Sequence, residues 1–176
     1  MRCLQRWTVI FALMIAIFGC GQKSTSPYKA NSEPDGFGGI TWGTPFSEVK
    51  SDLVELRSTN DPAEPSVKIK IYYTQNGDSL KMGAAQIDQI EYVFWRRKFA
   101  EVRISASGPE NFNGLKQVLF ERYGTVDKSQ GAYSWDGSVT RITLSYDEPT
   151  RTTLLSIAST KLASAEVKDI FDKDKD

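Results

Sequence analysis

The sequence predicts an α+β fold: two tandem units, each a helix followed by antiparallel strands, feed one sheet and pack their helices on one face. Three observations carry this expectation. Several segments alternate apolar and polar residues singly, as half-buried strands do. Two others begin at a proline and space their apolar residues as buried helix faces do. The two halves also repeat. Residues 46–53 read F-x-x-V-K-x-x-L and residues 112–119 read F-x-x-L-K-x-x-L. Trp95, Phe99, Val102, Ile104 and Ser105 recur with identical spacing as Trp135, Val139, Ile142, Leu144 and Ser145. Two matches in the same order argue for duplication.

The domain spans residues 37–160, with copies at 37–107 and 108–160. It opens with Ile40 and Trp42 at strand spacing. Thr44 then caps a helix whose first turn holds Pro45 and whose inner stripe is Phe46, Val49, Leu53 and Leu56. After a loop containing Pro62 and Pro65, Val67, Ile69, Ile71 and Tyr73 define a strand. Asn76-Gly77 is a hairpin turn, because both central positions of that turn need positive φ, and residues 79–85 form the return strand. IEYVFW and FAEVRIS make a second hairpin across Arg96, Arg97 and Lys98. Gly108-Pro109 starts a helix with Phe112, Leu115, Leu119 and Tyr123 inward, and Gly124 ends it. Asp136-Gly137 turns the next hairpin, and RTTLLSIA closes the sheet. Residues 161–176 read as a short amphipathic helix running into an acidic tail.

Residues 1–19 have the order of a secretory signal: Arg2 and Arg6, an apolar run at 8–18, then Gly19 and Cys20. Eleven helical residues rise only about 17 Å, short of the roughly 30 Å hydrocarbon core of a bilayer. Ile17-Phe18-Gly19-Cys20 resembles the lipobox of bacterial lipoproteins. That resemblance implies cleavage after Gly19 and lipidation of Cys20 by a diacylglyceryl thioether and an N-acyl chain, an anchor of more than one chain. Gly21, which is not aspartate, then favours the outer membrane over the inner. Residues 20–36, polar and broken by Pro27 and Pro34, read as a flexible tether.

Composition narrows the chemistry. Lysine plus arginine equals aspartate plus glutamate at 22 each, so nothing favours nucleic acid. Cleavage removes Arg2 and Arg6, leaving 20 basic residues against 22 acidic. There is no histidine, and Cys3 would leave with the signal. A Ser-His-Asp or Cys-His hydrolase has no base here, and no cofactor or metal motif appears. Asp147-Glu148, and Asp88 with Glu91, are the acid pairs a carboxylate enzyme would draw on. Their spacing gives no reason for them to face one another.

Two hairpin tips stand out as binding candidates. Trp95, Arg96, Arg97 and Lys98 set three cations beside aromatics, suited to an anionic headgroup or an acidic partner. Trp135 and Asp136 occupy the matching position. The two indoles pair into an aromatic edge if both tips share a rim, and close the core otherwise.

The tandem helix-plus-sheet pattern resembles the β-lactamase-inhibitor protein. The spacing of Gly43, Val49 and Leu53 resembles the helix start of the SmpA/BamE barrel-assembly lipoproteins. The F-G-G-I-T-W-G opening is similar to that of bacterial envelope lipoproteins. The expected protein is a lipid-anchored, non-enzymatic binding or scaffold module facing the periplasm, with an envelope protein or lipid as partner. The alternatives are a carrier of a small apolar or lipid-like ligand and a carboxylate enzyme acting on envelope polymer.

Overall fold

The computed structural model describes residues 26–49 and 53–173. The expected signal segment, Gly19, Cys20 and the end of the acidic tail lie outside the described residues. In chain order the elements are β1 (Gly36–Phe37), β2 (Ile40–Thr41), a 3-10 turn (Phe46–Glu48), β3 (Leu53–Asn60), β4 (Lys68–Gln75), β5 (Lys81–Met82), β6 (Ala85–Gln86), β7 (Gln89–Trp95) and β8 (Lys98–Ser107). Then come α1 (Pro109–Tyr123), β9 (Lys128–Ser129), β10 (Ala132–Asp136), β11 (Thr140–Asp147), β12 (Thr152–Ser159) and α2 (Thr160–Lys173). Eight strands make one antiparallel sheet in the order β3-β4-β7-β8-β12-β11-β10-β9, and β1-β2 and β5-β6 are separate two-stranded hairpins. The chain therefore builds one half of the sheet, crosses over through α1, and builds the other half inward until β12 closes against β8.

The front face carries the core. Tyr92, Phe94, Val102, Ile104, Ile142, Leu144, Leu155 and Ile157 project from it and meet Leu115 and Leu119 of α1. Gly108 takes φ 87°, Pro109 follows as the first helical residue, and Gly124 at φ 103° ends the helix. All three match the expected signals. Gly114 lets α1 approach the β5-β6 hairpin closely, since a Cβ there would lie 3.1 Å from that of Ala85. Asn111 accepts the Gln86 N–H at 2.8 Å beside it.

Four expectations are corrected. The helix expected to start at Phe46 and run through Leu56 is not formed: Phe46–Glu48 is a single 3-10 turn and Leu53–Asn60 is a strand paired with β4. Pro45 is extended and bridges Lys98, no side chain caps the turn, and β3 supplies the ladder partner that β4 would otherwise lack. Phe46 still packs its partly buried ring against the core, stacked on Tyr73 with centroids 4.8 Å apart. The helical part of the expected duplication is thus absent, while the hairpin part keeps Val102 and Ile104 on the same face as Ile142 and Leu144.

The Asn76-Gly77 turn does not return a strand to β4, whose neighbours are β3 and β7. The chain leaves the sheet there, held by the Tyr92 hydroxyl donating to Asp78 Oδ1 (3.1 Å) and by the Ile87 N–H donating to the Leu80 carbonyl (2.9 Å).

Nor do the helices share a face. Lys70, Tyr72, Val93 and Trp95 pair across β4 and β7 on the side opposite Ile71, Tyr73, Tyr92 and Phe94. Glu166 of α2 bonds Lys70 at 2.7 Å on that back side. So α1 covers the front, and α2 belongs to the back.

The described part of the expected tether also behaves differently. Residues 26–36 lie along the domain as a strap. Tyr28 is buried in the front core, its hydroxyl donating to the Thr140 carbonyl (2.9 Å), with the Trp135 carbonyl 3.3 Å away. The Lys29 N–H donates to the Tyr123 carbonyl (2.8 Å). Glu33 Oε1 accepts the N–H groups of Val139 (2.6 Å) and Thr140 (2.9 Å), satisfying the turn between β10 and β11.

Candidate functional site

The pairings Glu101 with Ala158 and Thr140 with Ser159 set the start of β8, the end of β12 and the start of β11 at one end of the sheet. The two singled-out hairpin tips therefore do share a rim. Their tryptophans do not form an aromatic edge. Trp95 closes β7 opposite Lys98, next to a turn of two residues; Trp135 stands one position inside the end of β10, opposite Ile142. Strand side chains alternate with period two, so this offset of one residue sends the indoles to opposite faces. Trp95 is buried on the α2 side. Trp135 is sealed in the front core, its Nε1–H donating to the Gly124 carbonyl at 2.8 Å. Both close cores.

The cations at the first tip are largely engaged in the fold. Arg96 and Arg97 hold positive φ, 45° and 62°, in a turn usually given to Asn-Gly. Such backbone costs about 1–3 kcal/mol per residue and persists only where the surroundings over-determine it. Here they do. The Arg96 N–H donates to the Ile69 carbonyl (2.7 Å), its guanidinium donates to Asp169 of α2 (2.6 Å), and the Arg97 carbonyl accepts the Phe46 N–H (2.8 Å). Arg97 lies over the Phe46 ring at 5.9 Å. Asp136 is exposed and accepts from the equally exposed Arg141. Of the six candidates, Lys98 borders a cleft on the rim.

That cleft, about 470 Å³, opens on the rim. Trp42 forms one wall, stacked on Phe99 with centroids 4.9 Å apart, and its Nε1–H donates to Thr140 Oγ1 at 2.7 Å. Val139 from the second tip and Leu162 from α2 add apolar surface. Lys98 and Lys161 stand exposed at its lip, with Asp35 on the strap side. The start of α2 is seated on the same turn: the Thr160 N–H donates to the Val139 carbonyl (2.9 Å) and its hydroxyl to the Gly137 carbonyl (3.1 Å). An apolar floor with two ammonium groups suits an apolar moiety that ends in an anion. The sequence reading takes Trp42 and Val139 as strand and repeat positions and Lys161 and Leu162 as part of the last helix, and it does not bring them together because four separate segments assemble the cleft. A second cleft of about 660 Å³ lies between the strap, the β1-β2 hairpin and the end of α1, with Gly38, Gly39, Phe37, Met82 and Arg122 among its lining residues.

The acids meet different neighbours. Asp88 accepts from the Ser107 hydroxyl (2.6 Å), Glu91 pairs with Arg57 (2.7 Å), and Asp147 accepts from the Thr150 hydroxyl (2.8 Å). Among the described residues no group of three or more His, Cys, Asp or Glu is arranged to hold a metal. Burial, joined for Tyr28 by the charge of Glu33 and for Tyr92 by that of Asp78, holds both phenols protonated far above their usual range. Burial also raises the Tyr123 phenol. None of the described helices is long and apolar enough to cross a membrane.

No protein-family model, curated protein or solved structure matches the chain.

Proposed function

We propose that this protein is a lipoprotein of the bacterial envelope, anchored through Cys20, whose domain binds an envelope partner at the rim cleft without catalysing a reaction. The partner fits by placing an apolar group against Trp42, Val139 and Leu162 and an acidic group at Lys98 and Lys161. The observation that carries the reading is the convergence on one rim of both hairpin turns, the strap and the start of α2 around an apolar cleft with a cationic lip. The short apolar run ending in Gly19-Cys20 supports the anchor, and Gly21 supports the outer membrane. An ancestral duplication, in this reading, is confined to the β7-β8 and β10-β11 hairpins.

The test is charge reversal at the lip. Lys98→Glu with Lys161→Glu is expected to abolish co-purification of a stoichiometric partner from detergent-solubilised envelope while the thermal melt is unchanged. Retained capture sinks the cleft as the binding site. Reversing Arg96 as well would confound the test, because it sets a carboxylate against Asp169 and loosens α2. A carrier of a lipid-like ligand is the second reading, favoured by the apolar floor. Native mass spectrometry of the purified protein separates the two by the presence or absence of a bound small molecule. The anchor has its own readout: Cys20→Ser moves the protein from the detergent phase to the aqueous phase.

A further inference from the structure

We propose that the outer face of α2, through Val167, Ile170 and Phe171, rests in the headgroup region of the bilayer that holds the anchor; this rests on the lipid-anchor reading above. Glu166 and Asp169, three positions apart, face the sheet and are bound to Lys70 and Arg96. Val167, Ile170 and Phe171 follow at i, i+3 and i+4 on the outward side and are 52%, 53% and 62% exposed, more than any other large apolar side chain among the described residues. Packing of the domain leaves more than half of each in solvent. Glu166 and Asp169 are turned to Lys70 and Arg96, and the exposed Lys168 flanks the stripe, where it suits anionic headgroups, with the exposed Asp172 one residue beyond Phe171.

The occupant follows from reach and area. Because Tyr28 is docked, only five residues, 21–25, separate Cys20 from Ser26, a span of at most about 20 Å fully extended. The strap and the start of α2 sit on the same turn, residues 135–140, and α2 reaches Phe171 about 17 Å further on. A sixteen-residue free tether would let the domain drift from the membrane; five residues keep it alongside. Three side chains fall well short of the roughly 800 Å² per partner that a stable dimer needs. A surface to which the domain is already tethered needs only a small increment, since the encounter is intramolecular.

The test uses the lipidated full chain with Ile170→Cys carrying an environment-sensitive fluorophore, in vesicles of phosphatidylethanolamine and phosphatidylglycerol. Thr150→Cys, at the opposite end of the sheet, is the control. The expected result is that protein floats with the vesicles and that spin-labelled lipid quenches the label at 170 roughly twofold or more over that at 150. Protein that floats with equal, weak quenching at both positions overturns the α2 contact and leaves the anchor standing. Protein that fails to float overturns the anchor and the contact with it.

Discussion

The two helices of this molecule are held by different physics. α1 buries Leu115, Leu119 and Tyr123 in the front core, where carbon meets carbon over its whole inner face. α2 contributes no residue to that core. It is fastened by its first turn to the β10-β11 turn and by ion pairs from Glu166 and Asp169, and it leaves its most apolar residues outside. Dispersion and the hydrophobic effect scale with buried area, whereas partly exposed ion pairs are weakened by water and salt. The domain should therefore live or die by α1, and α2 should be the part that opens first.

The largest expected effect is on the α1 side. Leu119→Ala empties a fully packed position and should cost about 2–5 kcal/mol in urea denaturation. A loss near 1 kcal/mol would mean that the front core can collapse around the gap, and the contrast with α2 would shrink accordingly.

The strap comes next, because it seals the same core from the other side. Glu33→Ala strips the partner from two turn amides and should cost about 1–3 kcal/mol. The buried Tyr28 adds a pH signature. Its folded-state pKa is raised, so the unfolded chain releases the proton first, near the ordinary 10.0. Stability should hold below pH 10 and fall as pH rises above it. Tyr28→Phe should flatten part of that alkaline loss, with the buried Tyr92 and Tyr123 keeping the remainder. An alkaline profile that does not change would place the sensitivity outside the strap.

On the α2 side the ion pair is the target. A double-mutant cycle on Lys70→Met and Glu166→Gln should return about 1 kcal/mol of coupling, decreasing with added salt. Hydrogen exchange should quicken in α2 while α1 keeps its protection. Equal loss of protection in both helices would show one cooperative unit and break the comparison.

This contrast tracks what was legible in the sequence. α1 was readable because its signals are local: Gly108-Pro109 at one end, Gly124 at the other, and a stripe at helical spacing between them. The β7-β8 and β10-β11 hairpins were readable for the same reason. The strand at Leu53–Asn60 was not, since four apolar positions from Phe46 to Leu56 fit a helix as well as they fit a turn followed by a strand, and β4 decided the matter. The strap was hidden further still. Tyr28 and Glu33 find their partners more than a hundred residues along the chain, and a lone tyrosine in a polar stretch was its only outward sign. The rim cleft shares that character, which is why Lys98 was found and the walls around it were not.

The smallest expected effect gives the sharpest discrimination. Val167, Ile170 and Phe171 lie on α2 at spacing that a sequence reading assigns to a buried face, yet each is more than half exposed. Side chains already in water leave no cavity when they are cut back. Replacing all three by serine should therefore change the stability of the protein in solution by no more than about 0.5 kcal/mol, most of it helix propensity. The same number of residues truncated along α1 would unfold the domain. If the triple variant instead loses several kcal/mol, those side chains are packed in solution, α2 is a second hydrophobic seal, and the division of labour between the two helices fails. If stability holds while Val167→Ser with Phe171→Ser abolishes the quenching of the label at 170 in the lipidated protein, the stripe exists for a surface outside the fold.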